Sequence, residues 1–390
     1  MNYKKIILKK DKETSIERFH PWIFSGAIKY GVDDLLEGEI VEIYSCRNEF
    51  LGTGFYSSGG SISVRIFSFE KEDINQDFWN RKIQSAYEYR KNIGIIGNPK
   101  TNAFRLCHAE GDGIPGLVID MYAGNAVIQS YVLGIDNVKN EIVLALKETF
   151  GNDLKSVYYK SDKVLKDSVN GYLYQNGDIE NIVLENGNKF YIDWEKGQKT
   201  GFFIDQRENR NILTKYCKDK KVLNTFCYTG GFSVYATNNG AKEVHSVDAS
   251  QKAIDLTDKN IELNNATDIH KSFCSDTFDF FKNSTEEYDI IILDPPAFAK
   301  HLSARHSAIM GYKRLNATAM KKIKKGGILF TFSCSQVVDK YTFVNTITSS
   351  AIETGRKVRI MEHLNQPADH PVNIFHPQGE YLKGLVLYVD

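Results

Sequence analysis

No stretch of this 390-residue chain comes near the roughly 18 consecutive apolar residues that a membrane-spanning helix needs. The amino terminus, MNYKKIILKK, carries too short an apolar core for a secretory signal. Cysteine is sparse and scattered, at positions 46, 107, 217, 227, 274 and 334. Without paired spacing these six argue against a zinc site and against a disulfide framework, and for a reducing cytoplasm. Charge of one sign is also lacking, since Lys+Arg and Asp+Glu both number 49. That counts against indiscriminate coating of nucleic acid, although a local basic face stays open. There is no internal repeat and no low-complexity segment. G-x-G-x-x-G is missing too, which disfavours a dinucleotide.

What is present is ordinary for a soluble globular chain of two or three domains, with 42% apolar and 25% charged residues. The organising stretch is Lys221 to Asp248, KVLNTFCYTGGFSVYATNNGAKEVHSVD. Val222 and Leu223 form the apolar end of a short buried strand. Gly230-Gly231 lets the backbone turn sharply and approach a ligand closely. Phe232 to Asn239 suits a helix closed by Gly240. Val244 to Val247 returns as a strand with Asp248 at its carboxyl end. Ligands of open α/β sheets bind outside that end, where an acid accepts hydrogen bonds from both ribose hydroxyls of a nucleoside.

Residues 1–70 read as short strands punctuated by glycine (Glu39 to Ile43, Phe50 to Tyr56, Ser61 to Phe67), which suggests a small barrel. Within it, His20 to Phe24 offers either a base-stacking surface or, with Trp22 and Phe24, a plug for the barrel. The lysines at 4, 5, 9, 10 and 12 reach phosphate or simply stay solvated. Residues 71–180 form a small α+β unit: a helix over Phe78 to Ile93, strands over Leu117 to Met121 and Ala126 to Tyr131, a helix over Ile135 to Thr149 and a strand near Ser156 to Lys160. The polar residues His108, Glu110 and Asp112 read as turn chemistry. In 181–390, Asn186-Gly187 marks a hairpin. The loop Gly197 to Arg207 precedes a helix over Gln206 to Tyr216 and is placed to close over a cofactor. Strands then alternate with helices: a helical stretch runs over Ser303 to Lys325, and Gly326-Gly327 opens the strand Ile328 to Ser333. The alternation, with two closing strands, is that of a doubly wound sheet.

Four ends of the parallel strands carry polar groups, namely Asp248, Asp276, Asp294 and Cys334, and parallel strands share one carboxyl edge. Pro295 and Pro296 fix two successive φ angles after Asp294, so carbonyls there stay unpaired and can read an amide or aminopyrimidine edge. Phe298 is available to stack on a base. Cys334 ends an apolar strand between Ser333 and Ser335 and is the candidate nucleophile. A free thiol of pKa ~8.5 is only slightly ionised at neutral pH, so the site must activate it. Cys227, in the glycine turn, is the rival.

These residues resemble a family. Phe226-x-Tyr228-Thr229-Gly230-Gly231-Phe232, Asp294-Pro295-Pro296-x-Phe298 and Ser333-Cys334-Ser335 look like the S-adenosylmethionine-dependent cytosine-5 methyltransferases of large-subunit ribosomal RNA. The likeness extends to GQKTGFFIDQR (Gly197 to Arg207), DHPV (Asp369 to Val372) and EYLKG (Glu380 to Gly384). HPWIFSGAI (His20 to Ile28) is similar to that family's RNA-binding PUA barrel, and Arg105 to Asp120 to its central domain. Cys227 departs from the small hydroxyl residue expected there. The resemblance implies a Rossmann-like methyltransferase sheet over 181–390, preceded by a PUA-like barrel over 1–70 and an α+β domain over 71–180. It implies S-adenosylmethionine at Thr200, Phe203, Gln206, Asn224, Phe226, Tyr228, Gly230, Asp248, Ala249, Asp276, Thr277 and Asp294. Asp248 would take the ribose and Asp276 the adenine amine. Pro295, Pro296 and Phe298 would face the base, held by Asp294, while Cys334 adds to carbon 6 so that carbon 5 takes the methyl group. The implied partner is large-subunit ribosomal RNA in the cytoplasm, with no metal and no membrane, and a homodimer stays open. Two alternatives stand beside it: methylation of a guanine ring nitrogen or exocyclic amine without a cysteine, and an inactive RNA-binding assembly factor on the same fold.

Overall fold

A computed structural model describes residues 3–161, 169–299 and 301–390. The chain divides into two compact units. The first comprises Met1–Val183, Ile192–Ile204 and Ala368–Gly379, and the second Leu184–Tyr191, Asp205–Pro367 and Glu380–Asp390.

The first unit holds two sheets. One contains β1 (Lys4–Leu8), β2 (Trp22–Phe24), β3 (Ile28–Tyr30), β4 (Ile40–Tyr44), β5 (Phe50–Tyr56) and β6 (Ile62–Ser68), in the order β2-β6-β5-β4-β1-β3. Its core is aliphatic, built on Ile6, Leu8, Ile23, Val41, Ile43, Val64 and Ile66. Lys4, Lys5, Lys9, Lys10 and Lys12 are exposed, while β1 pairs parallel with β4 and antiparallel with β3 because Ile6, Ile7 and Leu8 supply its buried face. Phe24 does not plug a barrel. It is 47% exposed, and Ile23 is the buried residue of that strand.

The second sheet of this unit has β7 (Ala103–His108), β8 (Leu117–Tyr122), β9 (Asn125–Ser130), β10 (Ser156–Ser161) and β11 (Gly171–Gln175), ordered β11-β10-β9-β8-β7. The helices Gln76–Asn92 and Lys139–Phe150 pack on it through Phe78, Trp79, Ile83, Ile142 and Leu146. His108, Glu110 and Asp112 are more than local turn chemistry. Asp112 binds the buried Arg90 and accepts from the His108 amide at 2.6 Å, and Glu110 accepts from the Trp22 indole at 2.8 Å.

The hairpin of β12 (Ile182–Glu185) and β13 (Asn188–Tyr191) turns through Asn186 and Gly187 at φ of 50° and 83°. Left-handed angles at both positions are what an Asn-Gly turn supplies.

The second unit is built on seven strands: β14 (Lys221–Thr225), β15 (Glu243–Asp248), β16 (His270–Cys274), β17 (Tyr288–Leu293), β18 (Ile323–Ser333), β19 (Val358–Leu364) and β20 (Lys383–Val389). Their order is β16-β15-β14-β17-β18-β20-β19, with the first five parallel and β20 antiparallel to both neighbours. Helices lie on both faces, so the central strands read as continuous apolar runs. Ile291 and Leu293 join one core with Tyr312, Leu315 and Phe343, while Ile290 and Ile292 join the other with Phe232, Ala236 and Leu213. That is the period of two expected of a strand buried on both faces.

The helix Arg305–Lys322 ends three residues earlier than the sequence suggests, and β18 begins at once. The glycines do not open the strand. They form an interruption inside it, because the ladder steps from Tyr288↔Ile323 to Ile290↔Ile328. Gly326 has φ 78°, and a Cβ on Gly327 would stand 2.9 Å from the Asp289 carbonyl oxygen, so neither position suits another residue. The helix expected over 206–216 is likewise shorter, Arg207–Leu213.

A buried ion pair ties the hairpin to the helices of this unit. Arg210 donates to both oxygens of Glu185, at 2.8 and 2.7 Å, and the Tyr235 hydroxyl donates to the same carboxylate at 3.0 Å. Both charged side chains are buried. Removing one partner strands the other charge in a dry site. Glu185→Ala is therefore expected to cost about 3–5 kcal/mol of stability, seen as a lowered urea midpoint. A midpoint within error of the unaltered protein would show the pair to be dispensable.

Candidate active site

The carboxyl edge of the parallel strands gathers the sequence-predicted polar residues. Asp248 is the last residue of β15, Asp276 follows β16 by two, Asp294 follows β17 by one, and Cys334 follows β18 by one.

The loop after β14 has an uncommon backbone. Phe226, Tyr228 and Gly230 have φ of 56°, 48° and 72°. A left-handed non-glycine residue costs on the order of 1–3 kcal/mol, and it persists only where its surroundings over-determine it. Here they do. The Tyr228 amide donates to Asp248 Oδ2 at 3.1 Å, and the Cys227 amide to the Val247 carbonyl at 3.1 Å. Thr257 Oγ1 donates to the Tyr228 carbonyl at 3.1 Å, and Asn260 to the Thr229 carbonyl at 2.8 Å. Gly230 is needed for contact as well as for φ, since a Cβ there would lie 2.8 Å from Thr257 Cγ2. Asp248 Oδ1 accepts the Ser250 amide at 2.9 Å. With one bond to each oxygen holding the turn, the carboxylate keeps acceptor capacity on both for a pair of hydroxyls.

Other predicted residues are placed differently. Asn224 is buried inside β14, donating to Ser233 Oγ at 2.9 Å, and Ser233 in turn meets Ser246 at 2.7 Å. Asp276 caps the helix Thr277–Asn283, its Oδ1 accepting the Phe278 and Asp279 amides at 2.8 and 3.2 Å; Oδ2 takes no part in the cap. Thr277 is buried and Ala249 exposed. Gln206 is buried, and its Oε1 accepts from Asn209 at 2.7 Å. Thr200 and Phe203 belong to the first unit. There the buried Thr200 hydroxyl donates to Asp120 Oδ2 at 2.5 Å, and Lys199 Nζ lies 5.1 Å from the Phe203 ring centre.

Beyond Asp294, Pro295 is buried and Pro296 exposed. Phe298 packs on Tyr312 with ring centres 4.6 Å apart, so part of the proposed stacking ring is already engaged in the core. Ser335 Oγ donates to the Ala299 carbonyl at 2.6 Å, locking the loop after β18 to the loop after β17. Lys383 Nζ donates to the Ser335 carbonyl at 2.7 Å. Sequence reasoning missed Tyr312 and Lys383 as site neighbours. Lys383 lies in EYLKG, but only the antiparallel pairing of β20 brings it here.

The thiols separate by environment. Burial pushes Cys227 up to about 12 and Cys217 up to about 11, and drives Cys107 higher still. Cys227 also contacts Thr257 Oγ1 at 3.4 Å, so it is an inert core thiol rather than a rival nucleophile. Cys46 and Cys274 are exposed, and Cys334 is half-buried. Tyr312, beside Cys334 and Asp294, is pushed up to about 12, chiefly by burial and further by those two neighbours.

Residues 6–69 match the model of the PUA-like domain, and residues 158–379 match that of the S-adenosylmethionine-dependent methyltransferases. The chain belongs to the S-adenosylmethionine-dependent methyltransferases. The ribosomal RNA large subunit methyltransferase I of Aeromonas hydrophila is 38% identical to it, covering 98% of each chain. The protein of the same name from Vibrio vulnificus is also 38% identical, over 98% of this chain and 99% of its own. Among solved structures, SMU.776 complexed with S-adenosylhomocysteine superposes with a TM-score of 0.86 at 27% identity, covering 99% of this chain and all of that one. Trm5b from Pyrococcus abyssi, at 16% identity and a TM-score of 0.55 over the whole of both chains, shares the fold alone.

For this methyltransferase, the donor set on the sheet edge fits an adenosyl group: an acid with capacity for two hydroxyls, beside a loop that a Cβ would obstruct. Among the described residues, no helix is long and apolar enough to cross a membrane, and no cluster of His, Cys, Asp or Glu is arranged to hold a metal ion. Asp248→Ala should weaken S-adenosylmethionine binding by ~1.5–3 kcal/mol, the range for charge-assisted hydrogen bonds. Calorimetry on a variant with unaltered circular dichroism tests this, and unchanged affinity would remove Asp248 from the cofactor site.

Proposed function

We propose that this methyltransferase forms 5-methylcytosine in large-subunit ribosomal RNA through a covalent adduct at Cys334. The observation that carries the reading is the placement of one half-buried thiol directly after β18. Its loop is fastened by Ser335 to the loop that follows Asp294. The relatives named as large-subunit ribosomal RNA methyltransferases, similar along nearly the whole chain, support the substrate class.

Carbon 5 of cytosine is a poor nucleophile until something adds at carbon 6. In this reading the Cys334 thiolate adds there, and the π electrons of the 5,6 bond make carbon 5 nucleophilic. Bound S-adenosylmethionine supplies the electrophilic methyl group. Asp294 holds the base through its ring nitrogen or exocyclic amine, and Asp248 holds the cofactor ribose. Removal of the carbon 5 proton by a base then lets the carbon–sulfur bond break, which restores the aromatic ring and the thiolate.

With 5-fluorocytosine in the RNA, the protein should form a covalent adduct, because fluorine cannot leave as the proton does. The adduct should vanish in Cys334→Ala and persist in Cys227→Ala. Methyl transfer by Cys334→Ala near the unaltered rate would sink the covalent mechanism, and a ring-nitrogen or amine target would replace it. Mass spectrometry of ribosomal RNA nucleosides from a strain lacking the protein would then name the base.

The PUA-like segment is proposed to bind RNA. Phe19 and Phe24 are 48% and 47% exposed, and exposed aromatic rings are the kind of platform single-strand binders use to stack unpaired bases. Replacing both by alanine should cost ~1–3 kcal/mol of RNA affinity per lost stacking contact while leaving cofactor affinity intact. Equal RNA binding would leave the segment a structural module.

A further inference from the structure

We propose that Lys383 is the positioning residue that keeps Cys334 in its thiolate form. The inference rests on the reading of Cys334 as the nucleophile, but its geometry stands separately.

In the β18–β20 ladder Lys383 is the partner of Ser333, the residue before Cys334. Its Nζ donates at 2.7 Å to the carbonyl of Ser335, the residue after Cys334. Lys383 thus meets both neighbours of the cysteine, Ser333 through its backbone and Ser335 through its side chain. Lys383 is only 6% exposed. An ammonium has three donors, yet among the described residues that carbonyl is its one hydrogen-bond partner, and no carboxylate lies within ion-pair distance. A buried cation in that position needs a counter-charge.

The charged groups around it narrow the choice. Cys334 acts on Lys383 most strongly, followed by Glu380, Asp339 and Lys340. Glu380 is already paired with Lys340. Asp339 is paired with Arg305 at 2.9 Å and caps its helix by accepting the Thr342 amide at 2.8 Å. Tyr312 stays neutral at pH 7, its hydroxyl being pushed up to about 12. Asp294, felt by the same Tyr312, brings negative charge to the neighbourhood and makes a compensating cation more necessary. Asp294 is not among the groups that act most on Lys383, and the foremost of those is the sulfur of Cys334.

Burial, opposed by Cys334, lowers Lys383 to about 8. It therefore keeps its proton at neutral pH and loses it only as pH rises through that value. By then an ordinary thiol of pKa ~8.5 is ionising unaided. The pairing thus acts where an unassisted cysteine would be mostly protonated.

The test is the pH dependence of iodoacetamide alkylation at Cys334, followed on the full-length protein by mass spectrometry of the peptide that contains it. The unaltered protein should show a midpoint about one unit or more below the ordinary ~8.5. Lys383→Met should raise the midpoint by about one unit, with roughly tenfold slower alkylation at neutral pH, and Lys383→Arg should restore it. A Lys383→Met midpoint equal to that of the unaltered protein overturns the proposal. So does an unaltered midpoint at the ordinary value, a measurement that survives even if the variant fails to fold. Alkylation requires neither RNA nor methyl transfer. A missing fluorocytosine adduct with a shifted midpoint would therefore remove the nucleophile and leave the Lys383 pairing in place.

Discussion

Because β16, β15, β14, β17 and β18 run parallel, a residue that ends one of them lies on the same edge as a residue that ends any other. That pairing is what brings together residues as far apart in the chain as Asp248 and Cys334. It depends in turn on burial of both faces. Ile290 to Leu293 alternate between two cores, so a slip of one residue would exchange their partners wholesale. The register of the central strand and the position of the candidate chemistry are thus one constraint. β20 enters the same sheet antiparallel, and it reverses the argument usefully. It presents the start of a strand at the edge where the others end, and Lys383 arrives beside Cys334 for that reason.

The glycine turn shows how such an edge holds strain. Two non-glycine residues there, Phe226 and Tyr228, have left-handed backbones, and hydrogen bonds from elsewhere in the chain rather than local preference hold the turn. Asp248 serves the turn through Tyr228 as well as presenting an acid, and Thr257 and Asn260 reach over from the following helix to hold the Tyr228 and Thr229 carbonyls. A loop held at this many points costs no further ordering when a ligand arrives, which is the physical content of preorganisation. Loss of the Asp248 carboxylate therefore acts on the loop as well as on any ligand.

The strand ends were legible because near-continuous apolar runs stop abruptly at an acid or a thiol, as before Asp294 and Cys334. The doubly wound sheet followed from that alternation, and the methyltransferase match agrees with it. What escaped was non-local. β1 looked like a charged terminus because Lys4 and Lys5 precede its three buried apolar residues. The Gly326-Gly327 interruption looked like a strand start, since glycines punctuate both. The segments Ile192–Ile204 and Ala368–Gly379 pack with the first 183 residues, although nothing local in them says so. Lys383 escaped for the same reason, because a lysine in a strand reads as solvent-facing until its partner strand is known.

Burial separates the six cysteines as candidates for the proposed nucleophile. Three are enclosed, and an enclosed thiol is held protonated because its thiolate would lose hydration without gaining a partner. Exposure, as at Cys46 and Cys274, does not position a substrate against a thiol. Cys334 lies between these limits, shielded enough for a nearby cation to be felt at short range and open enough to be reached. On the proposed reading, the burial that depresses Lys383 would also strengthen its action on the sulfur, because water screens the pair less. On the proposed reading, reactivity at Cys334 would belong to the β18–β20 pair rather than to the cysteine alone.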